Sequence, residues 1–208
     1  MSLSALNAVT PIDGRYSSQI DKEINDINSE YGLIQKRLHV EIKWFIFLSS
    51  QNPIKKKFGL NKSEVDYLSK IDKNFSVKDA IEIKNIEKTT NHDVKSVEYF
   101  LKNKFDKHKS LKNKKELIHF CATSEDINNL SHALMLEDGR QVLLDEMRKT
   151  LNLITDLAKD NADVAMLSRT HGQTASPTTL GKEMANFSYR LMRQIEQLEE
   201  VKIMGKFN

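Results

Sequence analysis

The sequence predicts an all-α protein, because it contains few helix-breaking residues and because its apolar residues are spaced as in helices. Only 3 prolines and 7 glycines occur in 208 residues, and few segments alternate with the period of two that is typical of strands. Apolar residues instead recur every three or four positions, which places them on one face of a helix. Since 39% of the residues are hydrophobic, we expect a sizeable core.

Four main helices follow from this spacing, in order along the chain. The first two carry apolar stripes made of Ile34, Leu38, Ile42 and Phe45, and of Val94, Val97, Leu101 and Phe105. A long helix is expected from Ile127 towards Asp160. A last helix is expected to start near Pro177, because proline suits the first helical turn. We assign residues 1–115 to an N-terminal helical domain and residues 116–208 to the first part of a long central helical bundle.

Composition argues against a dedicated nucleic-acid binder. The chain has 32 basic and 29 acidic residues and a net charge of only +3, without the one-sided positive charge of such proteins. The most basic stretch, residues 102–115, is expected to be a solvated helix end and loop.

The single cysteine and the short apolar runs limit the compartment. Cys121 alone excludes an intrachain disulfide and a cysteine-based zinc site, and its apolar neighbours predict a buried structural thiol. No signal peptide is visible, and the longest apolar run, residues 44–48, is far shorter than the ~20 residues of a membrane span. We therefore expect a cytoplasmic protein with no membrane partner.

Polar segments separate the predicted helices at residues 10–16, 89–93, 123–129 and 168–174. Three of them immediately precede a helix, whose free N–H groups and positive dipole end suit anionic ligands. Helix capping is the alternative, with Ser124 and Asp93 as the candidate N-caps. Capping explains one polar residue per segment, but it does not explain Asn91 next to His92, or a run that includes Thr170 and His171.

Two of the six histidines are candidates for chemistry. His92 and His171 lie among small hydrogen-bonding residues, and histidine is the side chain best matched to proton transfer near neutral pH. The others are interpreted as structural or solvated: His39, His108, His119 and His132. No His-Glu-x-x-His pattern and no glycine-rich phosphate loop occur. Residue spacing alone therefore indicates a helical protein with anion-friendly segments and does not name a reaction.

Five segments of the sequence closely resemble the adenylosuccinate lyase family, in its bacterial-type branch within the fumarase/aspartase superfamily. They are Pro-Ile-Asp-Gly-Arg-Tyr at 11–16, Lys-Thr-Thr-Asn-His-Asp-Val-Lys at 88–95, Thr-Ser-Glu-Asp-Ile-Asn-Asn at 123–129, Ser-Arg-Thr-His-Gly-Gln at 168–173 and Gly-Lys-Glu-Met-Ala-Asn at 181–186. Several blocks in the right order are far more specific than one. The wording of the segment at 123–129 favours this family over fumarase, aspartase and argininosuccinate lyase.

The resemblance implies a mostly helical homotetramer and a role in purine biosynthesis. It implies cleavage of adenylosuccinate to AMP and fumarate, and of succinylaminoimidazole carboxamide ribotide (SAICAR) to AICAR and fumarate. It also implies that neither a metal ion nor an organic cofactor is needed.

Site residues follow from the same motif match. His171 is the implied general acid, which protonates the departing nitrogen. The implied substrate-binding residues are Arg15 and Tyr16 at the nucleotide phosphate, Thr123, Ser124 and Thr170 at the succinyl carboxylates, and Asn91, His92 and Asp93 lining the same pocket.

One feature of the family is missing from these residues. The family's general base is a serine on a flexible loop containing Met-Pro-Lys-Asn, and no such loop occurs here. We therefore interpret the chain as the N-terminal portion of a longer lyase, and we expect this portion to be inactive alone. Two alternatives stay open, namely another fumarate-releasing lyase of the superfamily and a non-catalytic helical interaction module.

Overall fold

The computed structural model describes residue 10 and residues 12–207 of the chain. Pro11, the first residue of one motif, and residues 1–9 of the predicted N-terminal domain lie outside the described residues. The chain divides into two compact units, Met1–Glu137 with Met204–Asn208, and Asp138–Ile203. The predicted domain boundary after residue 115 stays a prediction.

Helices dominate the described residues, which confirms the predicted all-α class. The α-helices are α1 (Lys22–Asn28), α2 (Glu30–Ser50), α3 (Ile54–Phe58), α4 (Lys62–Lys73), α5 (Val77–Thr90), α6 (Asp93–Asp106), α7 (Ser124–Asp160) and α8 (Leu180–Glu200). Short 3-10 helices span Ser17–Gln19 and Lys112–Leu117. In the part of the chain that the structure describes, no helix is both long and apolar enough to cross a membrane.

The first unit has a closed hydrophobic core in which α2, α4, α5 and α6 meet. Seven of the eight residues of the two predicted apolar stripes lie in it, and the eighth, Val94, belongs to a smaller apolar cluster. All eight are buried. Phe45 of α2 packs edge-on against Phe105 of α6, with ring centroids 5.0 Å apart. Burial of apolar surface on this scale is the main stabilising contribution to a domain of this size.

The second unit contains the larger part of α7, a two-stranded antiparallel hairpin and α8. Strands β1 (Ala165–Thr170) and β2 (Gln173–Thr179) pair from Ala165 opposite Thr179 to Thr170 opposite Gln173. The predicted start of the last helix near Pro177 is wrong, since Pro177 lies in β2 opposite Leu167. Proline is tolerated there because a two-stranded sheet has only edge strands.

Helix α8 begins three residues later, where local bonds favour it. The side chain of Thr179 accepts a hydrogen bond from the Lys182 N–H and acts as the N-cap. Gly181 lies against the end of α7, and a Cβ at this position would be only 2.4 Å from the Ala158 carbonyl oxygen. Glycine is thus required here by close approach.

Two sequence-based expectations about the first unit are wrong. Cys121 is exposed rather than buried, and it lies in a series of turns after Leu117 where its own backbone is in the left-handed region (φ 57°). The lysine-rich stretch is only partly solvated: Lys114 Nζ lies 2.8 Å from Glu64 Oε1, and Lys104 Nζ lies 3.0 Å from Asp79 Oδ1. Acidic residues distant in sequence supply these partners.

Candidate functional site

The first polar segment forms the junction between α5 and α6. Asn91 ends α5 in the left-handed conformation (φ 49°), and its N–H donates to the Glu87 carbonyl oxygen at 2.8 Å. Asparagine tolerates this conformation better than most residues. His92 then caps α6, because its Nδ1 accepts a hydrogen bond from the Lys95 N–H at 3.2 Å. The prediction that Asp93 is the N-cap is wrong, since Asp93 is the first residue of the helix.

A buried serine holds this junction in shape. Ser96 Oγ donates to the His92 carbonyl oxygen at 2.6 Å and lies 2.8 Å from Thr90 Oγ1. Ser96 itself is fully buried. The capping bond to Nδ1 also fixes the tautomer, so a neutral His92 carries its proton on Nε2. That proton faces away from the capped N–H group and is available to a neighbour.

The segment at 123–129 forms the start of α7. Thr123 and Asp126 make a reciprocal cap: the Thr123 N–H donates to Asp126 Oδ2 at 2.8 Å, and the Asp126 N–H donates to Thr123 Oγ1 at 3.4 Å. This is the geometry of a capping box. The prediction that Ser124 is the N-cap is therefore wrong, and Ser124 is the first residue of the helix.

The two segments meet at His92 and Ser124. Ser124 Oγ lies 3.5 Å from His92 Nε2, so the N-termini of α6 and α7 lie close together. Asn91, His92 and Thr123 are exposed, and Asp93 and Ser124 are half-buried. Five of the predicted substrate-binding residues therefore form one accessible polar surface at two helix N-termini, an arrangement suited to anionic groups.

A buried arginine that was not among the predicted site residues lies beneath this surface. Arg37 of α2 is 6% exposed, and its Nε donates to Asn128 Oδ1 at 2.8 Å while its Nη2 donates to Asp93 Oδ2 at 2.5 Å. The sequence indicates this burial only through the position of Arg37, a charged residue beside Leu38 within an apolar helical stripe.

Asp93 is held as a carboxylate by its surroundings. Partial burial would raise the pKa of Asp93, but the Val94 N–H and the positive charge of Arg37 outweigh burial and lower that pKa below its ordinary value. Asp93 therefore keeps its negative charge beside Arg37 at neutral pH.

A second charged pair with one buried member joins α2 to the segment that leads to Thr123. His119 Nδ1 is 2.6 Å from Glu41 Oε1, and Glu41 is fully buried. The hydrogen bond to Glu41 raises the pKa of His119, although burial opposes it. This partner fits the predicted structural role of His119. Between these residues and the cap, Trp44 Nε1 donates to the Phe120 carbonyl oxygen at 2.8 Å.

Arg15 and Tyr16 lie in an exposed turn before the first 3-10 helix. Their interactions are local: the Arg15 guanidinium lies 5.5 Å from the centre of the Tyr16 ring. Their predicted contact with a phosphate stays a prediction.

Thr170 and His171 belong to the second unit, at the tip of the β1–β2 hairpin. His171 and Gly172 are the two turn residues, and both have positive φ, 49° and 73°, as a type I′ turn requires. Histidine is among the residues that tolerate this region. The hairpin therefore presents the His171 imidazole to solvent on a tightly defined turn.

Comparison with known proteins gives a consistent result. A family model described as “Lyase” matches residues 14–207. Proteins named adenylosuccinate lyase are 50% identical in Escherichia coli strain K12, 49% in Haemophilus influenzae and 43% in Buchnera aphidicola subsp. Schizaphis graminum, each over 209 aligned residues that cover the whole chain. The chain spans about half the length of these relatives, 46% in each case.

Solved structures share the fold at low sequence identity. A fumarate lyase from Mesorhizobium sp. BNC1 matches 89% of this chain and 43% of its own, with a TM-score of 0.67 and 18% identity. A 3-carboxy-cis,cis-muconate lactonizing enzyme from Pseudomonas putida matches 86% of this chain and 39% of its own, with a TM-score of 0.66 and 20% identity. These matches concern the fold alone.

Proposed function

Since the chain belongs to this lyase family, whose model matches residues 14–207, we propose that it is part of an adenylosuccinate lyase of the cytoplasm. The protein would cleave adenylosuccinate to AMP and fumarate, and SAICAR to AICAR and fumarate, in purine biosynthesis. The observation that carries this proposal is the 50% identity to an enzyme of that name over the entire chain.

The reaction breaks a C–N bond by elimination, which sets three chemical requirements. A base removes a carbon-bound proton, an acid protonates the departing nitrogen, and donors stabilise the charge that builds on the succinyl carboxylate. We assign the acid to His171. Its exposure at a hairpin tip supports this role, because a proton donor must reach the substrate.

The donors are assigned to the polar surface of the first unit and to the hairpin. Thr123, Ser124 and Thr170 would bind the succinyl carboxylates through their hydroxyl groups. The helix N-termini of α6 and α7 support this assignment for Thr123 and Ser124, because their dipoles favour negative charge.

The nucleotide would be held by the remaining residues. Arg15 and Tyr16 would contact the phosphate, where the planar guanidinium can donate two parallel hydrogen bonds. Asn91, His92 and Asp93 would line the pocket, with the His92 Nε2–H as a donor.

The catalytic base is proposed to come from outside these 208 residues. The family's serine loop does not occur in the sequence, and the chain spans 46% of its relatives. We therefore expect the 208-residue chain to be inactive alone.

The full-length protein is proposed to be a homotetramer. Large apolar side chains of the second unit support this, since Leu153 is 72% exposed, Tyr189 58% and Phe187 53%. Large apolar side chains exposed in this number are typical of surfaces that another subunit covers.

The test is fumarate release by the full-length protein, with the 208-residue chain assayed beside it. Adenylosuccinate and SAICAR are the expected substrates, with argininosuccinate and aspartate as controls for other lyases of the superfamily. Activity of the full-length protein alone on the first two supports the proposal. Activity only on a control substrate favours another lyase of the superfamily, and activity on no substrate favours a non-catalytic module. Activity of the 208-residue chain would contradict the proposal that the catalytic base lies outside it.

A further inference from the structure

The position of Arg37 in α2 is unusual for a charged residue. Its helical neighbours Ile34 and Leu38 are core residues with 2% and 0% exposure, and Arg37 is itself buried. Removing a guanidinium from water costs free energy, and well-packed apolar residues often replace buried ion pairs without loss of stability. Stability alone therefore does not account for an arginine at this position.

The guanidinium of Arg37 joins three helices through two directional bonds. From α2, Nε reaches Asn128 in the first turns of α7, and Nη2 reaches Asp93 at the start of α6. The donors of a guanidinium are fixed in one plane. A bond from each of two donors thus sets the start of α6 relative to the start of α7.

An apolar cluster lies beside this network and joins the same three helices. It consists of Val40, Val94 and Ile127, with exposures of 5%, 1% and 0%. Each is close in sequence to one member of the polar network. Apolar packing is non-directional, so it holds the helices together without fixing which atoms of their first turns face each other.

We propose that Arg37 is a positioning residue, which sets the separation of His92 and Ser124 by clamping the two helix starts that carry them. The proposal rests on the proposed function for the reaction, but the clamp itself rests on the geometry of α2, α6 and α7. Arg37 is set back beneath the accessible polar surface and acts through Asp93 and Asn128.

The experiment compares Arg37→Met with Val40→Ala in the full-length protein. Arg37→Met keeps a long side chain but removes every donor. Val40→Ala weakens the neighbouring apolar cluster and leaves the clamp in place. We expect Arg37→Met to lower kcat/KM for adenylosuccinate by about 100-fold, since misplacing a reacting group by about 1 Å has an effect of this size. Val40→Ala should stay within about threefold of wild type even where its melting temperature falls.

Two further variants separate the clamp from charge and from folding. Arg37→Lys keeps the positive charge but not the planar pair of donors, so its kcat/KM should fall nearly as far as that of Arg37→Met. Asn128→Leu removes one acceptor, leaves the pair of Arg37 with Asp93, and should lower kcat/KM by about 10-fold. This variant tests the clamp if Arg37→Met does not fold. Full activity of Arg37→Lys, or equal activity losses for Val40→Ala and Arg37→Met, would overturn the proposal.

A double variant tests whether Arg37 acts through the site. If Arg37 positions Ser124, then Arg37→Met combined with Ser124→Ala should lose little more activity than the worse single variant. A purely structural role predicts that the two losses multiply, as for independent sites.

A crystal structure of Arg37→Met gives a readout that needs no substrate. The distance from His92 Nε2 to Ser124 Oγ, 3.5 Å here, should increase by about 1 Å or more, and should stay unchanged in Val40→Ala. If the wild-type protein releases no fumarate, the proposed function fails and this distance alone decides the clamp. An unchanged distance in Arg37→Met overturns it.

Discussion

The two units bury very different shares of their apolar residues, although the apolar spacing of their helices looks alike in the sequence. Among the described residues, the second unit has only three buried apolar residues: Leu144, Ala158 and Ile195. The first unit contains all the rest, including Phe45 and Phe100. Helical periodicity therefore predicts which face of a helix is apolar, but it does not predict what covers that face.

The candidate histidines differ in the same way. His92 of the first unit is surrounded by supporting groups, from the buried Ser96 to the Arg37 clamp. His171 of the second unit depends on the hydrogen bonds of a short hairpin. Four predictions test this contrast, in order of decreasing expected effect.

The largest effect is expected in the core of the first unit. Phe100→Ala should cost about 3–5 kcal/mol of unfolding free energy, because Phe100 is fully buried and its loss leaves a cavity. Phe187→Ala, at a side chain 53% exposed, is the matched variant in the second unit. If a second copy covers Phe187, the cost of its loss should depend on protein concentration, whereas the cost at Phe100 should not. Chemical denaturation at two protein concentrations measures the loss of unfolding free energy in each variant. The contrast fails if the two losses depend on protein concentration to the same extent.

The next effect concerns proton transfer by the hairpin. His171→Asn should lower turnover by at least about 100-fold, the contribution typical of general acid catalysis. Asparagine tolerates the positive φ of this turn, so the hairpin should remain folded. His132→Asn, at an exposed histidine of α7, is the control. Steady-state fumarate release by each variant decides the role, and normal turnover of His171→Asn would remove His171 from the mechanism.

A pH effect is expected from the pair of Glu41 and His119 in the first unit. Burial raises the pKa of Glu41, and the hydrogen bond to Glu41 raises the pKa of His119. The folded protein therefore binds more protons than the unfolded chain, so this stabilisation falls as pH rises. The His119 contribution is fully present below the ordinary pKa of 6.5 and is lost as pH rises through the higher folded value.

Glu41→Gln should flatten this dependence, which for one proton has a slope of at most about 1.4 kcal/mol per pH unit. Melting temperatures between pH 5 and 9 provide the measurement. Glu196→Gln, at an exposed residue of α8, should leave the slope unchanged. A wild-type protein that gains stability over this range because of the pair would contradict the assigned direction.

The smallest effect separates the helix caps of the two units. Ser76 caps α5 in a reciprocal capping box with Asp79, whereas Thr179 caps α8 through one bond to Lys182. Ser76→Ala should cost about 1 kcal/mol, and Thr179→Ala should fall towards the lower end of the usual range of about 0.5–2 kcal/mol. Unfolding free energies of the two variants test the order, and a larger loss at Thr179 would reverse it.

The fold is predictable from the sequence where the signal is local. The stripes at Ile34 and Val94 and the long helix towards Asp160 follow directly from residue spacing. Features that depend on contacts distant in sequence are not predictable in this way. Pro177, for example, lies in a strand because β1 pairs with it. Cys121 is a local failure, because its apolar neighbours do not reveal the left-handed backbone at positions 119 and 121.

The candidate site divides along the same line. The segments that contain His92 and Ser124 could be recognised from their residues, but their meeting at 3.5 Å depends on how three helices pack. The N-caps are His92 and Thr123 rather than the predicted Asp93 and Ser124, because each helix begins one residue later in the chain than its cap. The burial of Arg37 is indicated by its place in an apolar stripe, but its partners could not be assigned, because they lie 56 and 91 positions away.

The turn at His171 and Gly172 has a consequence for inherited variation. A left-handed backbone at position 171 disfavours most side chains, which would destabilise the turn, but it accepts asparagine and aspartate. A single base change in a histidine codon produces either of these residues. Two of the substitutions that a single base change can produce at this position therefore leave the hairpin intact while removing the imidazole. A cell carrying such an allele would accumulate a normal amount of folded protein that lacks its proposed proton donor, so measurements of abundance would not reveal the defect.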